Sequence, residues 1–144
     1  MHIVRSALVM HPPMDMYQLV QDVPAYPEFL SWCTHAEVHE QGHDYQLASL
    51  GVAVAGLEQR FTTRNRLVPG ECLSLSLVEG PFRALGGEWR FQGLGEAGSK
   101  VTLQLDFEFA RGLVSVAFQS GFARIADHLV QEFCRRADRV YGQR

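Results

Sequence analysis

The sequence has almost no lysine. Lys100 is the only one, so the remaining members of its 13 Lys+Arg residues are all arginine. Charge is modest overall, at 20% charged residues with 16 Asp+Glu and a formal net charge of -3. That balance excludes a generally basic nucleic-acid binder, though not a local basic face. Cysteine is scarce, and Cys33, Cys72 and Cys134 are odd in number and widely spaced. The pattern argues against a secreted disulfide framework and fits a reducing, cytoplasmic setting. No run of about 18 apolar residues occurs, so no membrane-spanning helix is expected. Met1 to Ser6 carries no charged segment leading into a long apolar stretch, so no leader peptide is expected. There is no CxxC pair, HExxH, P-loop or GxSxG elbow. Cys33 with His35 and His39 is the only cluster of metal-ligating types. It falls in turn and strand, where exposed histidines are the plainer reading, and no metal is expected.

What is present is apolar bulk. Hydrophobic residues make up 47% of 144 positions, and 9 of them are Phe. That is enough for one domain over residues 1–144 with either a dense core or something inside it to cover.

Periodicity orders the elements. Residues 2–10 alternate around Ile3, Val4, Ala7, Leu8 and Val9 and predict a first strand. Pro12-Pro13 ends it, and Met16, Leu19 and Val20 then fall at helical spacing within Met14 to Gln21. Asp22 to Leu30, with Pro24 and Pro27, reads as a second short helical or turn segment. Strand-like runs follow at roughly 35–42, 45–55, 57–68, 72–79, 83–93 and 100–110, separated by turn residues, which predicts an antiparallel meander. Leu73, Leu75 and Leu77 oppose Ser74 and Ser76. Val101, Leu103, Leu105, Phe107 and Phe109 oppose Thr102, Gln104, Asp106 and Glu108. One apolar and one wet face follow. After Gly112 the period becomes 3.6, with Val114, Phe118, Phe122, Ile125, Leu129 and Phe133 on one stripe of a helix of about 30 residues. Its lone interior glycine, Gly121, marks either a close approach or a bend. The expected class is α+β: a curved antiparallel sheet of about seven strands, closed at one edge by the first, around a long C-terminal helix, with two short helices after strand 1. This is the helix-grip arrangement, and it can leave a cavity between sheet and helix.

No catalytic residue stands out. Asp106, Glu108, Glu58 and Glu88 lie on polar strand faces and read as solvated. Gly86-Gly87, Gly93 and Gly95 precede a strand, not a helix, and read as bulges or hairpin turns. On the run from Leu57 to Leu67, Arg60, Arg64 and Arg66 share one face. They either pair with carboxylates on neighbouring strands or form a phosphate-binding patch. Gln59, Phe61, Thr63 and Asn65 share the other face, as in a pocket with a few hydrogen-bonding groups or at a sheet edge reaching water. Trp89 and Phe91, Phe107 and Phe109, and Phe118, Phe122 and Phe133 read as core or as cavity lining.

Several segments, in order, resemble one family. They are Leu19-Val-Gln-Asp-Val-Pro-Ala-Tyr-Pro-Glu-Phe-Leu, Trp32-Cys33, Arg60-Phe-Thr-Thr-Arg-Asn, Glu79-Gly-Pro-Phe-Arg-Ala-Leu-Gly-Gly-Glu-Trp-Arg-Phe, Asp106-Phe-Glu-Phe and Phe133-Cys-Arg-Arg-Ala-Asp-Arg-Val-Tyr. Together they resemble the coenzyme Q-binding START-like family of the polyketide cyclase/lipid-transport group, which includes the bacterial ribosome-association toxin. Ser31 stands where that family usually has Pro, which loosens the loop before Trp32. The resemblance implies a hydrophobic tunnel and no catalytic residue.

Two functions compete on this reading. The leading expectation is an internal site for ubiquinone or a similar lipid, in support of respiratory electron transport, with possible transient membrane contact. Its candidate lining is Trp32, Gln59, Phe61, Thr63, Asn65, Trp89 and Phe91, continued by Leu103, Leu105, Phe107, Phe118, Phe122, Ile125 and Leu129. The alternative is a toxin that binds the large ribosomal subunit and blocks subunit joining. Its candidate RNA contacts are Arg60, Arg64, Arg66, Arg135, Arg136 and Arg139. A cyclase activity ranks lowest.

Overall fold

Alternating apolar residues on a chain with few long connections give one sheet, and a computed structural model describes it for residues 1–142. The elements are β1 (His2–Val9), α1 (Pro13–Gln21), a 3-10 helix (Val23–Glu28), β2 (Cys33–Gln41), β3 (Tyr45–Val54), β4 (Leu57–Val68), β5 (Cys72–Glu79), β6 (Phe82–Leu94), β7 (Gly98–Phe109) and α2 (Val116–Tyr141). The 7 strands form one antiparallel sheet in the order β1-β7-β6-β5-β4-β3-β2. The first strand therefore closes the edge beside the last, with Ile3 opposite Leu105 and Ala7 opposite Val101.

Turn chemistry explains the meander. The β3–β4 hairpin turns at Ala55 and Gly56, both with positive φ (51° and 80°), the backbone that a tight two-residue hairpin needs. Gly86 and Gly87 differ from the sequence reading: they are neither bulge nor turn. Gly87 lies mid-strand opposite both Leu75 and Leu105, and a Cβ there would stand 3.0 Å from the Leu105 Cα and closer still to the Gln104 carbonyl oxygen. Only a residue without a side chain fits where β6 and β7 approach so closely.

The long helix is shorter than its apolar stripe suggests. Val114 lies ahead of it in the connecting loop, and α2 has 26 residues, capped by Ser115, whose hydroxyl accepts from the Phe118 amide at 3.1 Å. Its inward stripe (Phe118, Phe122, Ala126, Val130, Phe133, Ala137) is buried against the sheet's apolar face. The second short segment is a 3-10 helix, as expected where Pro27 removes a backbone donor. With α1 it covers one end of the sheet, burying Met16, Val20, Val23 and Leu30.

Candidate functional site

Two clusters of rings occupy the ends of the space between sheet and α2. At one end Phe61, Phe82, Phe107, Phe109, Phe118 and Phe122 meet, with Phe82 stacked on Phe109 at 4.8 Å and Phe107 edge-on to Phe122 at 5.0 Å. At the other, Trp89 and Phe133 meet at 5.1 Å, with Tyr17, Tyr26, Phe29 and Phe91 around them. Between the clusters lies a partly enclosed cavity of about 100 Å³.

Of the residues expected to line it, Trp32, Phe61, Thr63, Asn65 and Trp89 do so from the loop and sheet. Leu105, Phe122, Ile125 and Leu129 complete that set from β7 and α2. Five others sit elsewhere. Phe91 packs against Tyr17 under α1, and Leu103 is buried outside the cavity lining. Phe107 and Phe118 are consumed in the first ring cluster. Gln59 lies further along β4, where it borders an open hollow with Pro81 and Leu113. The remaining wall comes from residues outside that expected set, of which the sequence marks Phe133 alone as core or cavity lining. Val23 and Tyr26 contribute from the 3-10 helix, Ala48, Leu50 and Val52 from β3, and Ala126 and Phe133 from α2.

The polar end is a closed chain of side chains. The Thr63 hydroxyl donates to Asn65 Oδ1 at 2.9 Å, and Asn65 Nδ2 donates to Gln46 Oε1 at 2.9 Å. Gln46 Nε2 in turn donates to the Gln21 carbonyl at 3.1 Å, tying β3 to the end of α1. Gln46 is fully buried and was missed, although its inward position next to Ala48 and opposite Asn65 was readable from the alternation. Buried polar groups persist when they are bonded to one another, and this chain satisfies that demand. What remains for a ligand is the Thr63 oxygen as acceptor and the second Asn65 amide hydrogen as donor.

No lining residue carries a carboxylate, imidazole or amine. The one titratable group is the Tyr26 phenol, which donates to the Val20 carbonyl and is held protonated by burial, with Cys33 and Asp22 adding in the same direction. Cys33 is buried, and burial raises its thiol above the usual range. Among the described residues no set of three side chains could hold a metal ion.

The arginines divide. On the convex sheet face, Arg60 lies 3.0 Å from Glu58 of its own strand, and the Arg64 guanidinium sits 4.4 Å over the Tyr45 ring. Arg66 is exposed beside them. On α2, Arg136 reaches Glu28 at 3.4 Å and lies 4.8 Å over Phe29, whereas Arg135 and Arg139 are exposed.

A curved sheet gripping a long helix around an apolar cavity defines the helix-grip class of small-molecule-binding folds. Residues 9–134 match the family described as polyketide cyclase / dehydrase and lipid transport, and the chain belongs to that family. It is 45% identical over 141 residues to the ribosome association toxin RatA of Pseudomonas aeruginosa, covering 98% of each chain. It is 29% identical to the mitochondrial coenzyme Q-binding protein COQ10 of Drosophila melanogaster, covering 96% of this chain and 59% of that one. Among solved structures it overlays the Zhui aromatase/cyclase from Streptomyces sp. R1128 with a TM-score of 0.84 at 21% identity, over 100% of this chain and 99% of that one. At that identity the overlay speaks for the fold.

Proposed function

We propose that this protein associates with the ribosome, binding the large subunit and hindering its joining to the small one. The observation that carries this is the 45% identity, end to end, with a protein named for ribosome association. The cavity supports the same choice by its size. An apolar cavity of about 150 Å³ just takes benzene, and drug-sized ligands occupy about 300 Å³ or more. At about 100 Å³ the present one is small for a polyprenyl quinone, which favours the ribosomal reading. The ordering expected from sequence, lipid first and ribosome second, is therefore reversed. Apart from the Tyr26 phenol, which burial holds protonated and the Val20 carbonyl occupies, the cavity lining supplies no acid or base for cyclase chemistry. The reading is of a binding protein acting in the cytoplasm, where ribosomes are. The test is a sucrose gradient: purified protein added to ribosomes is expected to move material from the joined to the separate-subunit peaks. An unchanged profile at saturating protein overturns the proposal.

The apolar lining with one spare donor and one spare acceptor favours a second reading, the binding of a small apolar molecule or a fragment of a lipid chain. Native mass spectrometry of protein purified from its own host checks it, expecting a bound mass that denaturation releases. Bare protein that also takes up no added benzene-sized apolar probe eliminates this reading.

A further inference from the structure

The surface that meets the ribosome can be located, and this inference rests on the ribosomal reading above. α2 carries three carboxylates, and each is engaged by a residue outside the helix. Asp127 pairs with Arg5 of β1, Glu132 accepts from the Trp32 indole at 3.3 Å, and Asp138 meets the buried His11 imidazole at 2.7 Å. Arg136 is committed in the same way, to Glu28 and the Phe29 ring. Arg124, Arg135 and Arg139 are exposed and make no ion pair among the described residues. At 3.6 residues per turn these three fall with His128 and Gln131 in an arc of about 80°, along about 22 Å of helix. His128 Nδ1 donates to the Arg124 carbonyl at 2.9 Å, which keeps its ring on that ridge. The ridge is cationic because the helix's own acids have been drawn off to its flanks.

The convex sheet face has that property to a lesser degree, since most of its arginines are matched by carboxylates of the same face. Arg60 is matched by Glu58 at 3.0 Å, Arg90 by Glu88 at 2.8 Å and Arg83 by Glu108 at 3.5 Å. Arg64 lies over the Tyr45 ring at 4.4 Å and Arg66 is exposed, neither in an ion pair among the described residues, so the positive charge of this face is cancelled only in part.

We infer that the outer ridge of α2, through Arg124, Arg135 and Arg139, docks on the phosphate backbone of ribosomal RNA. Guanidinium forks match phosphate oxygens two bonds at a time, and phosphate supplies the negative charge that the ridge does not find internally. A cleft lined by Ser31, His128, Arg135, Arg136 and Arg139 opens beside the ridge, with Glu132, which accepts from the Trp32 indole, also on its wall. A phosphate seated towards the arginines meets more than one donor.

The experiment compares Arg124→Ala/Arg135→Ala/Arg139→Ala with Arg60→Ala/Arg64→Ala/Arg66→Ala in co-sedimentation with purified large ribosomal subunits across a salt series. Alanine favours helix, and circular dichroism checks that each variant is folded. The ridge variant is expected to bind at least about tenfold more weakly, with a log–log salt slope shallower by about two to three, while the sheet variant stays near wild type. Wild-type affinity and slope in the ridge variant overturn this assignment and leave the ribosomal reading standing. Wild-type protein that binds no subunits removes both. Binding to phosphatidylserine vesicles instead, lost in the ridge variant, overturns the RNA assignment in favour of a membrane.

Discussion

A Cβ placed on Gly121 would stand 3.1 Å from Cγ2 and 3.2 Å from Cβ of Val54, and closer still to Val54 Cγ1. The glycine in the middle of α2 is thus a close approach between helix and β3. Gly121→Ala gains about 1 kcal/mol of helix propensity and loses more to overpacking, so a net destabilisation of about 1–2 kcal/mol is expected. Val54→Ala in the same chain removes the clashing methyls and is expected to recover part of that loss. Urea unfolding of both single variants and the double variant measures the coupling, and strictly additive effects exclude the contact.

Asn65 is the middle link of the buried polar chain. Asn65→Ala leaves Gln46 Oε1 without its donor and the Thr63 hydroxyl without its acceptor. A loss of about 1–3 kcal/mol is expected, against a smaller one for Thr63→Val, which sits at the end of the chain. Thermal unfolding of the two variants ranks them, and equal midpoints contradict the linkage.

Ala126 is buried in the cavity wall. Ala126→Leu is expected to fill the space and change stability by at most about 2.4 kcal/mol, from about 24 cal/mol per Å³ of cavity. Because the wall is not the ridge, this variant is expected to retain its effect on subunit profiles while losing any small-molecule binding. Loss of the ribosomal effect in a folded Ala126→Leu protein ties that effect to cavity contents.

Burial, with Asp138 adding to it, pushes the Cys134 thiol from near 9 up to about 11. Between those values the unfolded chain has given up a proton that the folded chain still holds, so stability falls as pH rises through the interval. Burial of Cys33 acts in the same direction. The urea midpoint is expected to drop between pH 8 and pH 10.5, and to drop less in Cys134→Ala. An equal drop in both proteins assigns the alkaline loss elsewhere.

Strands and helix were legible because one apolar face imposes a period of two on the sheet and 3.6 on α2. The meander expected over residues 35–110 matches β2 to β7 to within about two residues at most ends. The site was less legible, since alternation says which face a side chain is on and not how far along the strand it lies. Gln59 and Asn65 share a face of β4, yet only Asn65 reaches the cavity, because Phe61 and its ring cluster close the space between them. Likewise Phe107 and Leu105 share a face of β7, and ring packing takes one while the other lines the wall. The arginine on β4 could not be ranked against that on α2 without knowing where each carboxylate pairs.

The closing of the sheet by its first strand sets an order on folding. Each hairpin from β2 to β7 joins neighbours in sequence and can form as soon as its second strand exists. β1 is different: its whole length pairs with β7, and its Arg5 answers Asp127 of α2. It waits for partners roughly a hundred residues downstream, the kind of distant closure that slows folding. Asp127 of α2 finds Arg5 only once that closure brings β1 into place, so this ion pair between helix and edge strand is among the last contacts to form.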